Sequence, residues 1–230
     1  MTNENDNGCL NCKRKSPIFD SLTESQLKYL SENRYSISYK TGELIYKQGT
    51  KNTNVISFTS GLAQIEHTSI SGKTIVLRLV KPTEFITGLG VFLNDLHHFS
   101  VKVLQPSTVC IIELNVFREL LDSNRKFALA YIGEQNKHHI FTFNRLVSYN
   151  LKNREGRIAE LLLYLSEDIY ESEKYKFDFS KQLIADMTGM TRAGVFSILK
   201  KYQSDGLIHL SNGDIEIFKP ERLKEISDFG

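Results

Sequence analysis

The chain has 230 residues, 40% of them hydrophobic and 24% charged, with a formal net charge of +2. That length suits two domains better than one, and the composition excludes a disordered chain. No run approaches the ~18 uninterrupted apolar residues of a membrane span, and three cysteines are too few for a disulfide framework.

Residues 1–17 read as a polar tail carrying Cys9, Cys12 and the basic cluster Lys13-Arg14-Lys15. Its start, Met1 to Gly8, has no apolar stretch, which argues against a secretion signal and for a reducing, cytoplasmic setting. Ile18, Phe19, Leu22, Leu27 and Leu30 predict one short helix. Residues 18–122 read as a sensor domain of short apolar runs: Leu44-Ile45, Val55 to Phe58, Leu62 to Ile65, Thr74 to Leu77 and Thr108 to Ile112. Turn signals separate them at Thr41-Gly42, Gln48-Gly49, Ser60-Gly61, Ser71-Gly72 and Gln105-Pro106. Short β-rich runs at roughly 8–12-residue spacing predict a sandwich or barrel.

Strand signals stop after Leu114. A helix starts over Val116 to Leu121 and resumes past Asp122-Ser123-Asn124 as a long helix, residues 123–150. Within it Leu129, Ile132, Asn136, His139, Phe143 and Leu146 alternate steps of three and four, the spacing of a helix packed on a partner helix. A homodimer seam is favoured over burial against its own domain. Asn136 and His139 would weaken such a seam while fixing its register, or face a ligand beside the helix.

Residues 151–230 form a third segment. Ile158, Leu161, Leu162 and Leu165 predict an amphipathic helix, and two shorter helices follow. Leu207 to Leu210 and Ile215 to Phe218 flank Ser211-Asn212-Gly213-Asp214, a strong hairpin signal. Between the helix and the hairpin lies the most specific stretch, Lys181 to Lys200. Ser180 can cap a helix carrying Leu183, Ile184 and Met187; small Ala185 permits a close crossing, and Gly189 can turn the chain. Thr191 can cap a second helix with Val195, Ile198 and Leu199 facing inward. This is a helix-turn-helix, whose second helix enters the DNA major groove. A plain αα-hairpin is the competing reading, and the hairpin just after it favours the DNA-binding one.

Charge gives weaker support. From Leu151 to Gly230 there are 12 Lys+Arg against 14 Asp+Glu, so the segment as a whole is not basic. Between Lys181 and Ser204, however, Lys181, Arg192, Lys200 and Lys201 oppose Asp186 alone. Such a local stripe suits phosphate contact.

In this order the parts resemble the CRP/FNR family of bacterial transcription regulators, from about Ile18 to Phe229. The resemblance rests on Tyr39-Lys40-Thr41-Gly42-Glu43 with Gln48-Gly49, Phe58-Thr59-Ser60-Gly61, Glu84-Phe85-Ile86-Thr87-Gly88 and Thr188-Gly189-Met190-Thr191-Arg192. It implies an α+β fold: an N-terminal jelly-roll β-roll like a cyclic-nucleotide-binding domain, a long dimerisation helix, and a C-terminal winged helix-turn-helix. It also implies a homodimer on a pseudo-palindromic double-stranded DNA operator, with RNA polymerase as a further partner and no membrane. The expected DNA-facing residues are Ser180, Lys181, Thr191, Arg192, Ala193, Gly194, Ser197, Lys200 and Lys201. Arg192 suits a guanine or phosphate contact, while Thr191, Ser180 and Lys200 suit backbone contacts. Family members usually carry Glu and Arg where Ala193 and Ser197 stand, which implies a different operator.

Members that bind cyclic AMP use a glutamate for the ribose and an arginine–serine pair for the phosphate. Those positions fall near Gly88 and near His98-Phe99, and neither Glu nor Arg is there. A cyclic phosphate would lose its charge-assisted bidentate partner, and a neutral His98 is a poor replacement. Cyclic AMP is therefore disfavoured. The oxygen-sensing branch holds an iron–sulfur cluster on cysteines, and Cys9, Cys12 and Cys110 resemble three of its four ligands. Ile18 stands about where the fourth is expected, with Asp6 or Asp20 as replacements. Cys9-x-x-Cys12 also suits a redox pair or a zinc half-site, and Cys110 a buried strand residue.

The pairs His97-His98 and His138-His139 raise metal or haem. Adjacent histidines in a strand point to opposite faces, so the first pair reads as a solvated loop and the second as part of the helix seam. A cupin-like metalloenzyme would need several converging histidines, and the sequence has no Gly-rich phosphate loop or nucleophile motif. An enzyme is not expected. Ala193 and Ser197 leave one other reading, a sensor module of this fold that has lost specific DNA binding.

Overall fold

The computed structural model describes residues 8–177, 179–211 and 213–230, which gather into two compact units. The first holds the residues up to Ile140 apart from 74–77; the second holds residues 141–230 together with 74–77.

The first unit opens with a 3-10 turn at Pro17–Ser21 and α1 (Glu24–Glu32). The strands are β1 (Arg34–Tyr39), β2 (Leu44–Tyr46), β3 (Asn54–Thr68), β4 (Thr74–Val80), β5 (Phe85–Ile86) and β6 (Ser100–Glu113). They form one sheet in the order β1-β6-β3-β4, with β2 also pairing with β6 and β5 with β3. The one helix expected over Ile18 to Leu30 is in fact two pieces. Leu22 is extended, and Thr23 begins α1 afresh with a capping box to Gln26.

Two expected turns are not turns. Ser60-Gly61 lies inside the 15-residue β3, and Gln105-Pro106 inside the 14-residue β6. The two signals face each other: a Cβ on Gly61 would sit 2.4 Å from the Pro106 carbonyl oxygen. The β3–β6 register shifts at Phe58, Ser60 and Leu62. A residue without a Cβ at φ +90° opposite a residue without an N–H gives a bulged crossing that keeps both strands in the sheet.

Helices α2 (Leu114–Ser123) and α3 (Arg125–Leu151) follow, broken at Asn124. The Asn124 side chain accepts from the Phe127 N–H at 3.0 Å and donates to the Ser21 carbonyl at 3.0 Å and to Gln26 Oε1 at 2.8 Å. One amide thus joins the 3-10 turn, α1 and the root of α3. Beneath it Phe19, Leu30, Phe85, Phe117, Leu120 and Phe127 form a buried core, with the Phe19 and Phe127 rings stacked at 6.1 Å. Further along α3, Leu129, Ile132, Phe143 and Leu146 are 52–64% exposed, and Asn136 and His139 are exposed as well. The described residues leave the seam exposed. Ile140, 62% exposed, lies beside it and escaped the heptad reading.

The second unit continues with α4 (Arg154–Tyr164), a π turn at Leu165–Ile169, β7 (Lys174–Lys176), α5 (Lys181–Thr188), α6 (Arg192–Ser204), β8 (Ile208–Ser211), β9 (Asp214–Ile217) and α7 (Pro220–Phe229). The hairpin β8–β9 forms as expected, although Asn212 of its turn lies outside the described residues. The sheet has a third strand, in the order β7-β9-β8. β7 has a single buried residue, Tyr175, between two exposed lysines, too short a pattern to read as a strand. Helix α7 was not anticipated either; its Pro220 at the first turn and fully buried Leu223 are the signals that mark it.

Candidate nucleic-acid interface

Helices α5 and α6 are set by their ends. The Ser180 hydroxyl accepts from the Leu183 N–H at 3.1 Å, and the Thr191 hydroxyl from the Gly194 N–H at 3.2 Å. Each cap contributes about 1 kcal/mol. Between them Gly189 takes φ +63°, the left-handed conformation in which a Cβ is strained. Leu183, Ile184, Ala185 and Met187 of α5 and Val195, Ile198 and Leu199 of α6 are all buried. The inward faces are as the sequence spacing predicts.

The turn is held from behind by two arginines. Arg145, in the part of α3 that belongs to the second unit, is buried and donates to the Met187 carbonyl and to the Tyr149 hydroxyl at 2.8 Å. The Tyr149 hydroxyl also donates to the Met187 carbonyl, at 2.7 Å. Arg157 of α4 donates to the Thr188 carbonyl at 3.1 Å. The last carbonyls of α5 have no helical partners, and guanidinium donors there suit the negative end of the helix dipole. Neither arginine stood out in the sequence, because its partner lies about 30 to 40 residues away.

With the inner face buried, α6 presents Arg192, Ala193, Phe196, Ser197 and Lys200 outward, all exposed, and Gly194 is half-buried. Lys181 at the start of α5 is exposed too, its ammonium 4.3 Å from the centroid of the Phe196 ring. Phe196 has no role in the sequence reading, which puts Val195, Ile198 and Leu199 inward; its exposure beside Lys181 comes from the structure. Lys201 corrects the basic stripe. Both Glu155 carboxylate oxygens accept from its ammonium at 2.8 Å, so its charge is already matched. That contact raises the Lys201 pKa above its ordinary value.

In the first unit, the loop between β5 and β6, residues 87–99, carries neither Glu nor Arg. Gly88 takes φ +82°, and a Cβ there would meet Asn52 Nδ2 at 2.9 Å and His97 Nδ1 at 3.3 Å. His97 is buried, not solvated as its sequence suggested: its ring stacks on Tyr46 at 4.0 Å, and burial pushes its pKa down. His98 remains exposed, its Nε2 3.1 Å from Asn94 Oδ1. Two guanidiniums of this unit are committed elsewhere, Arg78 to Glu84 and Arg118 to Asp95 at 2.7 Å. The residues present do not fit a cyclic nucleotide bound through Glu and Arg.

His138 is half-buried, and its pKa is lowered to about 4, first by burial and then by the charge of Arg78. An imidazole in the unfolded chain takes its proton near pH 6.5. Between pH 6.5 and about 4 the unfolded state therefore binds a proton that the folded state refuses. The stability this neutral ring contributes is complete above pH 6.5 and falls as the pH drops to about 4, by roughly 2–3 kcal/mol. Urea midpoints measured across this range should fall less steeply for His138→Gln than for the parent; equal slopes would refute the assignment.

The structure brings Cys9, Cys12 and Cys110 to one cleft, together with Arg34 and Ser57. None is in a disulfide. Cys9 is the buried one and Cys110 is half-exposed, the reverse of the expectation for Cys110. The cleft, about 20 Å³, has room for one water-sized molecule. The Arg34 guanidinium lies where a cluster would have to sit, donating to both Cys9 and Cys110. Of the replacement ligands, Asp20 pairs with Lys15 at 3.2 Å and Asp6 lies outside the described residues. Among the described residues no group of three or more His, Cys, Asp or Glu is arranged to hold a metal ion. An iron–sulfur cluster does not fit this arrangement.

Comparison with known proteins agrees with the architecture. A family profile described as a cyclic nucleotide-binding domain matches residues 36–124, and one described as a Crp-like helix-turn-helix domain matches residues 156–226. The nitrogen fixation regulation protein FixK of Bradyrhizobium diazoefficiens is 22% identical over 99% of this chain and 97% of its own length. The protein of the same name from Rhizobium meliloti is 27% identical over 86% of this chain and 89% of its own. The solved structure of FixK2 from Bradyrhizobium japonicum superposes with a TM-score of 0.77 at 15% identity, covering 84% of this chain and 96% of that one. These relatives are named as regulators and not as enzymes, and a further one, from Mycobacterium tuberculosis, is named as a CRP-like transcriptional regulator. With both profiles in the family's order and relatives matched along most of their length, the chain belongs to the CRP/FNR family of transcription regulators.

Proposed function

We propose that the protein acts in the cytoplasm as a homodimer that binds a pseudo-palindromic operator and answers a small effector or redox signal other than cyclic AMP. Residues 18–122 would sense, residues 123–150 dimerise and residues 151–230 bind DNA. The observation that carries the reading is the two-faced α6, buried on one side and presenting Arg192, Ala193, Phe196, Ser197 and Lys200 on the other. In a major groove Arg192 reaches guanine or phosphate, and Ala193 and Phe196 offer apolar contact to thymine methyls. Lys200, Lys181 and the capping residues Ser180 and Thr191 lie toward the backbone, with the Gly194 N–H already engaged by Thr191. Lys201, bound to Glu155, contributes less. RNA polymerase is the partner such a complex would recruit or block.

The test is a duplex selected from a random library, followed by a salt titration. Affinity should fall steeply with rising salt. Arg192→Ala should cost about 1–3 kcal/mol and relax one operator position, while Lys200→Ala should lower the salt slope by about one. Binding to no duplex even at low salt would instead make the protein a sensor module without specific DNA binding.

A further inference from the structure

In the register of the first sheet Arg34 lies opposite Ile112 and Ser36 opposite Cys110, so Arg34 and Cys110 are diagonal neighbours on one face. Arg34 Nε donates to Cys9 Sγ at 3.1 Å and its Nη1 to Cys110 Sγ at 3.6 Å, with Ser36 Oγ 3.5 Å from the same Cys110 sulfur. One guanidinium therefore joins two thiols that are 101 positions apart in the chain. The cleft they line takes a molecule of the size of water or hydrogen peroxide and excludes a cluster. We propose that Cys110 and Cys9 are a thiol pair oxidised to a disulfide by hydrogen peroxide or another small hydroperoxide. The proposal gives a chemical class to the redox signal suggested above.

The order of reaction follows from exposure. Cys110 is half-exposed beside the Arg34 guanidinium, so a peroxide reaches its sulfur before that of buried Cys9. Burial pushes the Cys9 thiol up, with Arg34 opposing the shift. The Cys110 thiolate attacks one peroxide oxygen: an S–O bond forms, the O–O bond breaks, and the leaving hydroxide takes a proton and departs as water. The Cys9 sulfur then attacks the Cys110 sulfenic acid; the S–S bond forms, the S–O bond breaks, and the hydroxyl leaves with the thiol proton as a second water. Two thiols lose two electrons and two protons, and one peroxide is reduced to two waters.

The bond would draw Cys9 from the Ser31 hydroxyl, 3.3 Å from its N–H, and break the Arg34 contacts to both sulfurs. Cys9 belongs to the same buried core as Phe19 and Phe127. The oxidation state is thereby read at the root of α3.

The experiment oxidises the reduced full-length protein with hydrogen peroxide, blocks remaining thiols with N-ethylmaleimide and maps disulfides by mass spectrometry. A Cys9–Cys110 bond is expected in the parent and in Cys12→Ser. Cys9→Ser should stop at a Cys110 sulfenic acid trapped by dimedone, and Arg34→Gln should slow the reaction roughly tenfold. A Cys9–Cys12 bond, or an unmodified Cys110, would overturn the proposal. So would stoichiometric iron and sulfide bound through these cysteines after anaerobic purification. Because the map is made without DNA, a protein that forms the bond but binds no duplex refutes the regulator and leaves the thiol pair standing. One that binds its operator without forming the bond does the reverse.

Discussion

Replacing Arg145 with methionine is expected to destabilise the second unit by roughly 3 kcal/mol, and to weaken operator binding with it. The side chain is 8% exposed, and its guanidinium meets the Met187 carbonyl, the Tyr149 hydroxyl and, at 4.0 Å, the Glu160 carboxylate. The guanidinium also lies over the Tyr149 ring, its Cζ 4.9 Å from the centroid. Methionine restores volume without donors. The Met187 carbonyl keeps the Tyr149 hydroxyl and Glu160 keeps Lys152 at 3.6 Å, so the loss falls below that of a wholly orphaned charge. Removing one partner of a buried ion pair costs about 3–5 kcal/mol, and hydrogen bonds to a charged group about 1.5–3. Urea denaturation followed by circular dichroism measures the first effect and operator affinity at fixed salt the second. A change below about 1 kcal/mol would show that the arginine merely lies over the turn.

If the proposed homodimer forms through α3, Ile132→Asp is expected to convert it to monomer at micromolar concentration and to lower operator affinity by two orders of magnitude or more. Ile132 and its seam neighbours are more than half exposed, and burying one such side chain against a partner contributes about 1.5–3 kcal/mol. In a two-fold interface the substitution acts twice, once in each copy, and it adds two carboxylates to an apolar seam. A loss of about 3–6 kcal/mol from the dimer corresponds to a factor of 10² to 10⁴. Sedimentation velocity reads the change directly. An unshifted dimer would place the interface elsewhere and make the heptad spacing of Leu129, Ile132, Phe143 and Leu146 incidental.

The features that were legible in the sequence are those fixed within a few residues. Ser180, Gly189 and Thr191 act on amides three positions away or on their own dihedral angles, so their roles follow from residue type. The two-fold alternation around Ser211 to Asp214 is similarly local. Gly61 and Pro106 were misread because each breaks structure when considered alone, and only the pairing of β3 with β6 shows that each compensates the other. Lys201 looked like a free cation for a comparable reason, since Glu155 lies 46 residues earlier. The seam of α3 was half legible: the heptad count selected its apolar residues but passed over Ile140. The thiol cleft needed the β1–β6 register, which nothing near Cys9 or Cys110 encodes.

Asn124 has a practical consequence for where this protein can be divided. The family profile for its first domain begins at residue 36, and a fragment cut there would seem complete by homology. It would nevertheless lack Ser21 and Gln26, two of the three groups to which the Asn124 side chain is bonded. It would also lack Phe19, which stacks on Phe127. The leading segment is thus a fastening for the long helix, and a fragment that keeps the first unit folded has to begin before the 3-10 turn at Pro17.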